Sequence, residues 1–167
     1  MPEKHENIIL VGMPAVGKST VGVLLAKRLG WSFIDTDLVI QVGELKKLQE
    51  IIDLQGIEKF CALEEHYVMT VYVKKHVIAT GGSVIYSVKA MQHLKSLGTV
   101  IHLDLPPHLL TKRLQNLSSR GVVMVKGQDI GTLYAQRHPL YSQNADATIA
   151  CEGMTMDQIV NEIEKFC

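Results

Sequence analysis

Gly12-Met13-Pro14-Ala15-Val16-Gly17-Lys18-Ser19 fits the pattern G-x-x-x-x-G-K-[ST] without a mismatch. Each fixed residue type answers a need of phosphate binding. Glycines let backbone N–H groups turn inward around phosphate oxygens, and a helix N-terminus adds the positive end of its dipole. Lys18 can reach β- and γ-phosphates, and the Ser19 hydroxyl can sit on Mg²⁺. A chance glycine-rich turn has no reason to lie between an apolar run and an amphipathic helix, as this one does. Residues Gly12 to Thr20 are therefore read as a nucleotide site.

A second set of residues suits the use of that nucleotide. Asp35-Thr36-Asp37 closes an apolar run, and two carboxylates at i, i+2 can both face a crevice. Asp35 can hold the magnesium shell, and Asp37 can take or orient the proton of an attacking hydroxyl. A helix N-cap with a solvated neighbour is the plainer alternative for the pair. Thr80-Gly81-Gly82-Ser83 permits close backbone approach to a ligand, although an ordinary turn uses glycines equally well. Arg113, Arg120 and Arg137 are three of only four arginines among 17 cationic side chains. Bidentate guanidinium suits phosphate and carboxylate. The stretch from Asn116 to Gly127 has no clear periodicity and reads as a lid.

Those residues need a scaffold, and apolar runs alternate with helical periodicity along the chain. Asn7–Val11, Ser32–Ile34, Val77–Thr80, Thr99–Leu103 and Ala147–Ala150 read as five short buried strands. Val21, Leu24, Leu25 and Leu29 give a helical face that Gly30 stops. Helices are expected at Ile57–Tyr72, around Met91–Leu97 and after Pro106-Pro107. The last one opens on the capping box Thr155-x-x-Gln158. Buried strands alternating with helices make an α/β fold with a parallel sheet covered on both faces. Ligands of such sheets sit beyond the carboxyl ends of the strands.

Composition narrows the function classes. With 167 residues, 17 Lys+Arg against 17 Asp+Glu, and 47% apolar content, the chain suits one soluble domain able to bury a core. Zero net charge gives no general attraction to nucleic acid or an anionic membrane. No apolar run reaches the roughly 18 residues of a membrane span, and the charged N-terminus does not resemble a secretory signal. Three cysteines without ligand spacing read as reduced thiols in the cytoplasm. A monomer acting on a small-molecule substrate is expected. The seven histidines are scattered and suggest no metal site built of protein ligands alone.

Taken together, Gly12–Ser19, Asp35-Thr36-Asp37, Phe60-x-x-x-Glu64, Thr80-Gly81-Gly82, Arg120 and Arg137-x-Pro139-Leu140-Tyr141 resemble the shikimate kinase family over nearly the whole chain. The resemblance implies a P-loop kinase fold with a five-stranded parallel sheet in order 2-3-1-4-5, flanked by helices. Residues 1–167 would form a single kinase domain, with a lid at 116–127 and a substrate-binding helical region at about 37–65. It implies transfer of the ATP γ-phosphoryl group to the 3-hydroxyl of shikimate, a step toward the aromatic amino acids, with ATP and Mg²⁺ as cofactors. Lys18, Ser19 and Asp35 would serve ATP and magnesium. Asp37 would hold the acceptor hydroxyl as base, and Gly81 and Gly82 would meet ring hydroxyls. Arg137 would bind the carboxylate, Arg120 would close onto the phosphates, and Arg113 would lie against adenine. Lys18, Asp37 and Arg120 form the catalytic set.

The departures matter as much. The family pattern F-R-x-x-E is here Phe60-Cys61-Ala62-Leu63-Glu64, so Cys61 occupies a substrate-binding arginine's place. Removing one partner of a buried charge pair costs about 2–5 kcal/mol, equivalent to some 30- to several-thousand-fold in affinity, unless another cation compensates. Lys59 lies on the opposite helical face and is a poor substitute. Cys61 itself suits a small buried filler better than a reactive thiol. Ser83 replaces a third glycine, and Gly121 replaces the proline after the lid arginine. Two alternatives follow: a sister kinase acting on a different small hydroxylated metabolite, and a non-catalytic P-loop regulator.

Overall fold

The computed structural model describes residues 6–115 and 129–167. Five parallel strands form one sheet in the order β2-β3-β1-β4-β5, as expected. They are β1 (Asn7–Val11), β2 (Ser32–Asp35), β3 (His76–Ala79), β4 (Thr99–Asp104) and β5 (Ala147–Ala150). All five residues of β1 are buried, because it lies between β3 and β4 with helices over both faces. Its register sets Leu10 beside both Ala79 and Ile101, so the strand ends that feed the site are level.

The helices are α1 (Lys18–Leu29), α2 (Thr36–Glu44), α3 (Leu48–Gln55), α4 (Ile57–Met69), α5 (Val88–Leu97), α6 (Pro107–Gln115), α7 (Ile130–Asn144) and α8 (Met156–Glu164). Gly30 ends α1 in the left-handed conformation, its N–H returning to Ala26 and Lys27 carbonyls. Thr155 and Gln158 form the capping box of α8. Several boundaries differ from the sequence expectation: β2 and β4 each run one residue further, to Asp35 and Asp104, and β3 begins at His76. β3 stops at Ala79 because Thr80 turns its hydroxyl back onto the Leu10 carbonyl, 2.9 Å away. α4 stops at Met69, where the Thr70 hydroxyl bonds the Tyr67 carbonyl at 2.6 Å.

One core fills the space around the sheet, and a smaller cluster of Ile40, Leu48, Ile51 and Phe60 ties α2, α3 and α4 together. That second cluster fixes the helical arm that faces the phosphate loop.

His102 lies in β4, 1% exposed, its ring stacked 5.0 Å from that of Tyr141. Burial holds its imidazole down to about 4, against a partial upward pull from Asp104. An unfolded histidine takes up its proton near pH 6.5, so the unfolded chain binds a proton that the fold refuses. The stabilisation is full above pH 6.5 and is lost as pH falls towards 4, by roughly 3 kcal/mol in all. Urea denaturation should show that slope in the wild-type protein and a flatter profile in His102→Phe. An unchanged slope in the variant would place the acid sensitivity elsewhere.

Candidate active site

The phosphate loop joins β1 to α1 and is held by its glycines. A Cβ on Gly12 would lie 2.5 Å from the Leu103 carbonyl oxygen, so the loop can pass β4 only without a side chain there. Gly17, at φ +107°, is the N-cap of α1, with no capping hydrogen bond from a side chain among the described residues and no acidic residue in the first turn. The first N–H groups and the positive dipole end are thus left for an anion. Pro14, Ala15, Gly17, Lys18 and Ser19 border a cavity, whereas Met13 and Val16 turn their side chains into the core. Thr20 is exposed.

Lys18 is buried, its Nζ donating to the Gly12 and Met13 carbonyls at 2.7 and 2.9 Å. Ser19 Oγ donates to Asp35 Oδ2 at 2.6 Å, and Asp35 Oδ1 accepts the Asp37 N–H at 3.0 Å. Asp35 is therefore both the α2 N-cap and the neighbour of the phosphate-loop serine. A hydroxyl and a carboxylate so paired suit a hard cation that takes its other ligands from phosphates and water. Arg113 reaches from α6 to the Ala15 and Val16 carbonyls at 3.2 and 3.0 Å, bracing the loop from outside.

Opposite the loop lies a cavity of about 290 Å³, walled by β-strand ends, the helical arm and α7. Asp37, Leu38 and Gln41 enter from α2, Lys47 and Leu48 from the start of α3, and Phe60 and Glu64 from α4. Thr80 to Ser83 form its floor. Gly81 is pinned by its N–H to the Thr36 hydroxyl at 3.3 Å. A Cβ at Gly81 would collide with Glu64 Oε2 and lie 2.8 Å from Asp37 Oδ1, so the glycine lets two carboxylates approach from either side. A Cβ at Gly82 would come within 2.9 Å of an Arg137 nitrogen.

Arg137 comes from α7 and is 1% exposed. Its Nε donates to the Tyr86 hydroxyl at 3.1 Å, and its guanidinium carbon stands 5.2 Å from that ring's centroid. A guanidinium so stacked keeps its planar fork oriented without freezing a flexible chain. Glu64, 2% exposed, accepts the Ser83 hydroxyl on Oε1 at 2.6 Å. Burial, with a smaller contribution from Asp37, pushes its carboxyl up to about 7.

Most of the residues expected at the site from the sequence converge here. Cys61 is half-buried against the small α2–α3–α4 cluster and does not line the cavity, and burial raises its thiol's pKa. Lys59 is exposed and outside the cavity wall. Arg120 and the lid at 116–127 lie outside the described residues. Sequence reasoning missed Lys47, Gln41 and Tyr86. The i, i+4 pair Asp37 and Gln41 on a helix opening at an N-cap could have exposed one of them. Nothing local marks the other two.

Comparison with known proteins agrees with this geometry. A profile of the shikimate kinase family matches residues 14–167. The chain is 38% identical to the shikimate kinase of Persephonella marina over 158 residues, covering 94% of this chain and 96% of that one. It is 34% identical to the enzyme of Thermodesulfovibrio yellowstonii over 163 residues, covering 96% and 94%. The structure of Acinetobacter baumannii shikimate kinase in complex with shikimate superposes with a TM-score of 0.90 at 30% identity, covering 98% and 93% of the two chains. With such likeness carried along nearly its whole length, the chain belongs to the shikimate kinase family, whose members move a phosphoryl group from ATP, with Mg²⁺, to a hydroxyl.

Proposed function

We propose that this chain phosphorylates a hydroxyl of shikimate, with ATP as donor. The observation that carries the proposal is the juxtaposition, in one cavity, of a phosphate loop, the Asp37 carboxylate and the buried Arg137 guanidinium. When bound, ATP with Mg²⁺ supplies the γ-phosphoryl group and neutralises charge on it. Gly17, Lys18, Ser19 and Asp35 would hold that group, Lys18 exchanging loop carbonyls for phosphate oxygens. Arg113 keeps the loop in shape from the adenine side. Arg137 orients the acceptor through its carboxylate, while Gly81 and Gly82 let its ring lie close to backbone. Asp37 accepts the proton of the acceptor hydroxyl as that oxygen attacks. Positioning and fixed charge do most of the work, because phosphoryl transfer needs little covalent machinery.

Coupled ADP release over shikimate, quinate and gluconate tests this directly. Saturable turnover with shikimate at sub-millimolar concentration is expected. Turnover confined to another polyol would favour the sister kinase to which Cys61 points, and no turnover at all would favour a regulator.

Lys47 adds a finer expectation. Its side chain is exposed yet borders the cavity, so its contribution to an anionic acceptor is that of a screened surface charge, about 0.5–1 kcal/mol. Lys47→Ala should raise the KM for shikimate about two- to fivefold and leave kcat alone. A KM equal to that of the wild-type enzyme would remove Lys47 from acceptor binding.

A further inference from the structure

Glu64 is a buried titratable side chain to which phosphoryl transfer assigns no task. Its carboxyl lies in the cavity wall, 2% exposed, and is satisfied on one oxygen only. Oε1 accepts the Ser83 hydroxyl, while Oε2 meets no hydrogen-bond donor among the described residues. A buried carboxylate with a bare oxygen is far costlier than the neutral acid. The groups facing it divide by sign. Asp37 on α2 opposes ionisation, whereas Arg137 on α7, Lys18 on α1 and the Ser83 hydroxyl after β3 favour it. Cys61 on the same helix and Tyr141 on α7 also sense its charge, and both have pKa values raised by burial. Burial outweighs the rest, which brings the carboxyl to about 7.

The cavity wall carries Lys18, Lys47 and Arg137 against Asp35, Asp37 and Glu64. Counted over the described residues alone, this wall is balanced with Glu64 ionised and carries one net positive charge with Glu64 neutral. We propose that binding of a substrate carboxylate draws one proton from solvent onto Glu64, so that the neutral acid, held by Ser83, does the electrostatic work of the cation absent at Cys61. Cys61 and Ser83, two of the three departures from the family pattern, are then one device. An arginine at 61 would supply positive charge and keep Glu64 ionised. The Ser83 hydroxyl occupies Oε1 and leaves Oε2 as the place for the proton. This rests on the acceptor bearing a carboxylate, as shikimate does.

Shikimate binding followed by calorimetry, without nucleotide, in HEPES and in Tris from pH 6.5 to 8.5 tests the proposal. At pH 8 the wild-type protein should take up close to one proton per shikimate, and Kd should rise about tenfold per pH unit above neutrality. Glu64→Gln should abolish the uptake and flatten Kd across that range. Ser83→Ala, which removes the bond that favours the ionised form, should move the midpoint to higher pH. Cys61→Arg should bind shikimate at least about tenfold more tightly at pH 8, without proton uptake. Tight wild-type binding with no uptake, or an uptake that survives Glu64→Gln, would overturn the proposal. If shikimate binds at no pH, the substrate assignment fails instead. The infrared difference between wild-type and Glu64→Gln protein then decides the Glu64 question. A protonated-carboxyl band present at pH 6 and lost by pH 8 supports the assignment, and its absence at both overturns it.

Discussion

Asp37→Asn should lower kcat by about a thousandfold while leaving ATP affinity within about twofold. Removal of a positioned general base costs 10²–10⁴-fold in typical enzymes, and asparagine keeps the size and polarity of aspartate without its proton affinity. The start of α2 should survive, since the bond from the Asp37 N–H to Asp35 Oδ1 does not involve the side chain that is changed. Nucleotide binding should be spared, because it is Asp35 that pairs with the phosphate-loop Ser19. ADP release gives kcat and titration calorimetry gives the ATP affinity. A parallel loss of ATP binding would show that Asp37 serves the nucleotide and not the acceptor, and a kcat within tenfold of wild type would remove it as the base.

Arg137→Gln should weaken shikimate binding by about 30- to several-thousand-fold. That is the 2–5 kcal/mol attached to truncating one partner of a buried charge pair, with each 1.4 kcal/mol equal to a factor of ten. No other arginine among the described residues lines the acceptor cavity. The residue is also packed on Tyr86, and loss of that contact can reduce stability. Arg137→Lys separates the two effects. It keeps the charge but loses the planar fork, and should recover part of the affinity. A shikimate analogue whose carboxylate is replaced by an alcohol gives the decisive readout. The wild-type enzyme should prefer shikimate strongly, and Arg137→Gln should lose that preference. An undiminished preference would mean that the carboxylate is bound elsewhere in the cavity.

The elements that carry local signals were legible in the chain. β1, α1 and α8 come out at their expected places because a buried strand, a left-handed glycine stop and a capping box each act within a few residues. The sheet order was legible through the family resemblance. The helical arm was legible only as a region: α2 and α3 are 9 and 8 residues long, too short for their periodicity to stand out. α7 was hidden by Pro139, which sits inside the helix although proline ordinarily ends one.

The site divides along the same line. Gly12 to Ser19, Asp35, Asp37, Gly81, Gly82 and Arg137 declare themselves by residue type and spacing, because phosphate, proton and carboxylate chemistry admit few alternatives. The double role of Asp35, as helix cap and as serine partner, needed the strand end to meet α1. The charge state of Glu64 belongs to the tertiary structure alone. It depends on a hydroxyl 19 residues away, a helix that brings Arg137 beside it and the exclusion of water from Oε2. A sequence names the groups that can ionise, whereas packing sets the solvent and the neighbours that decide whether they do.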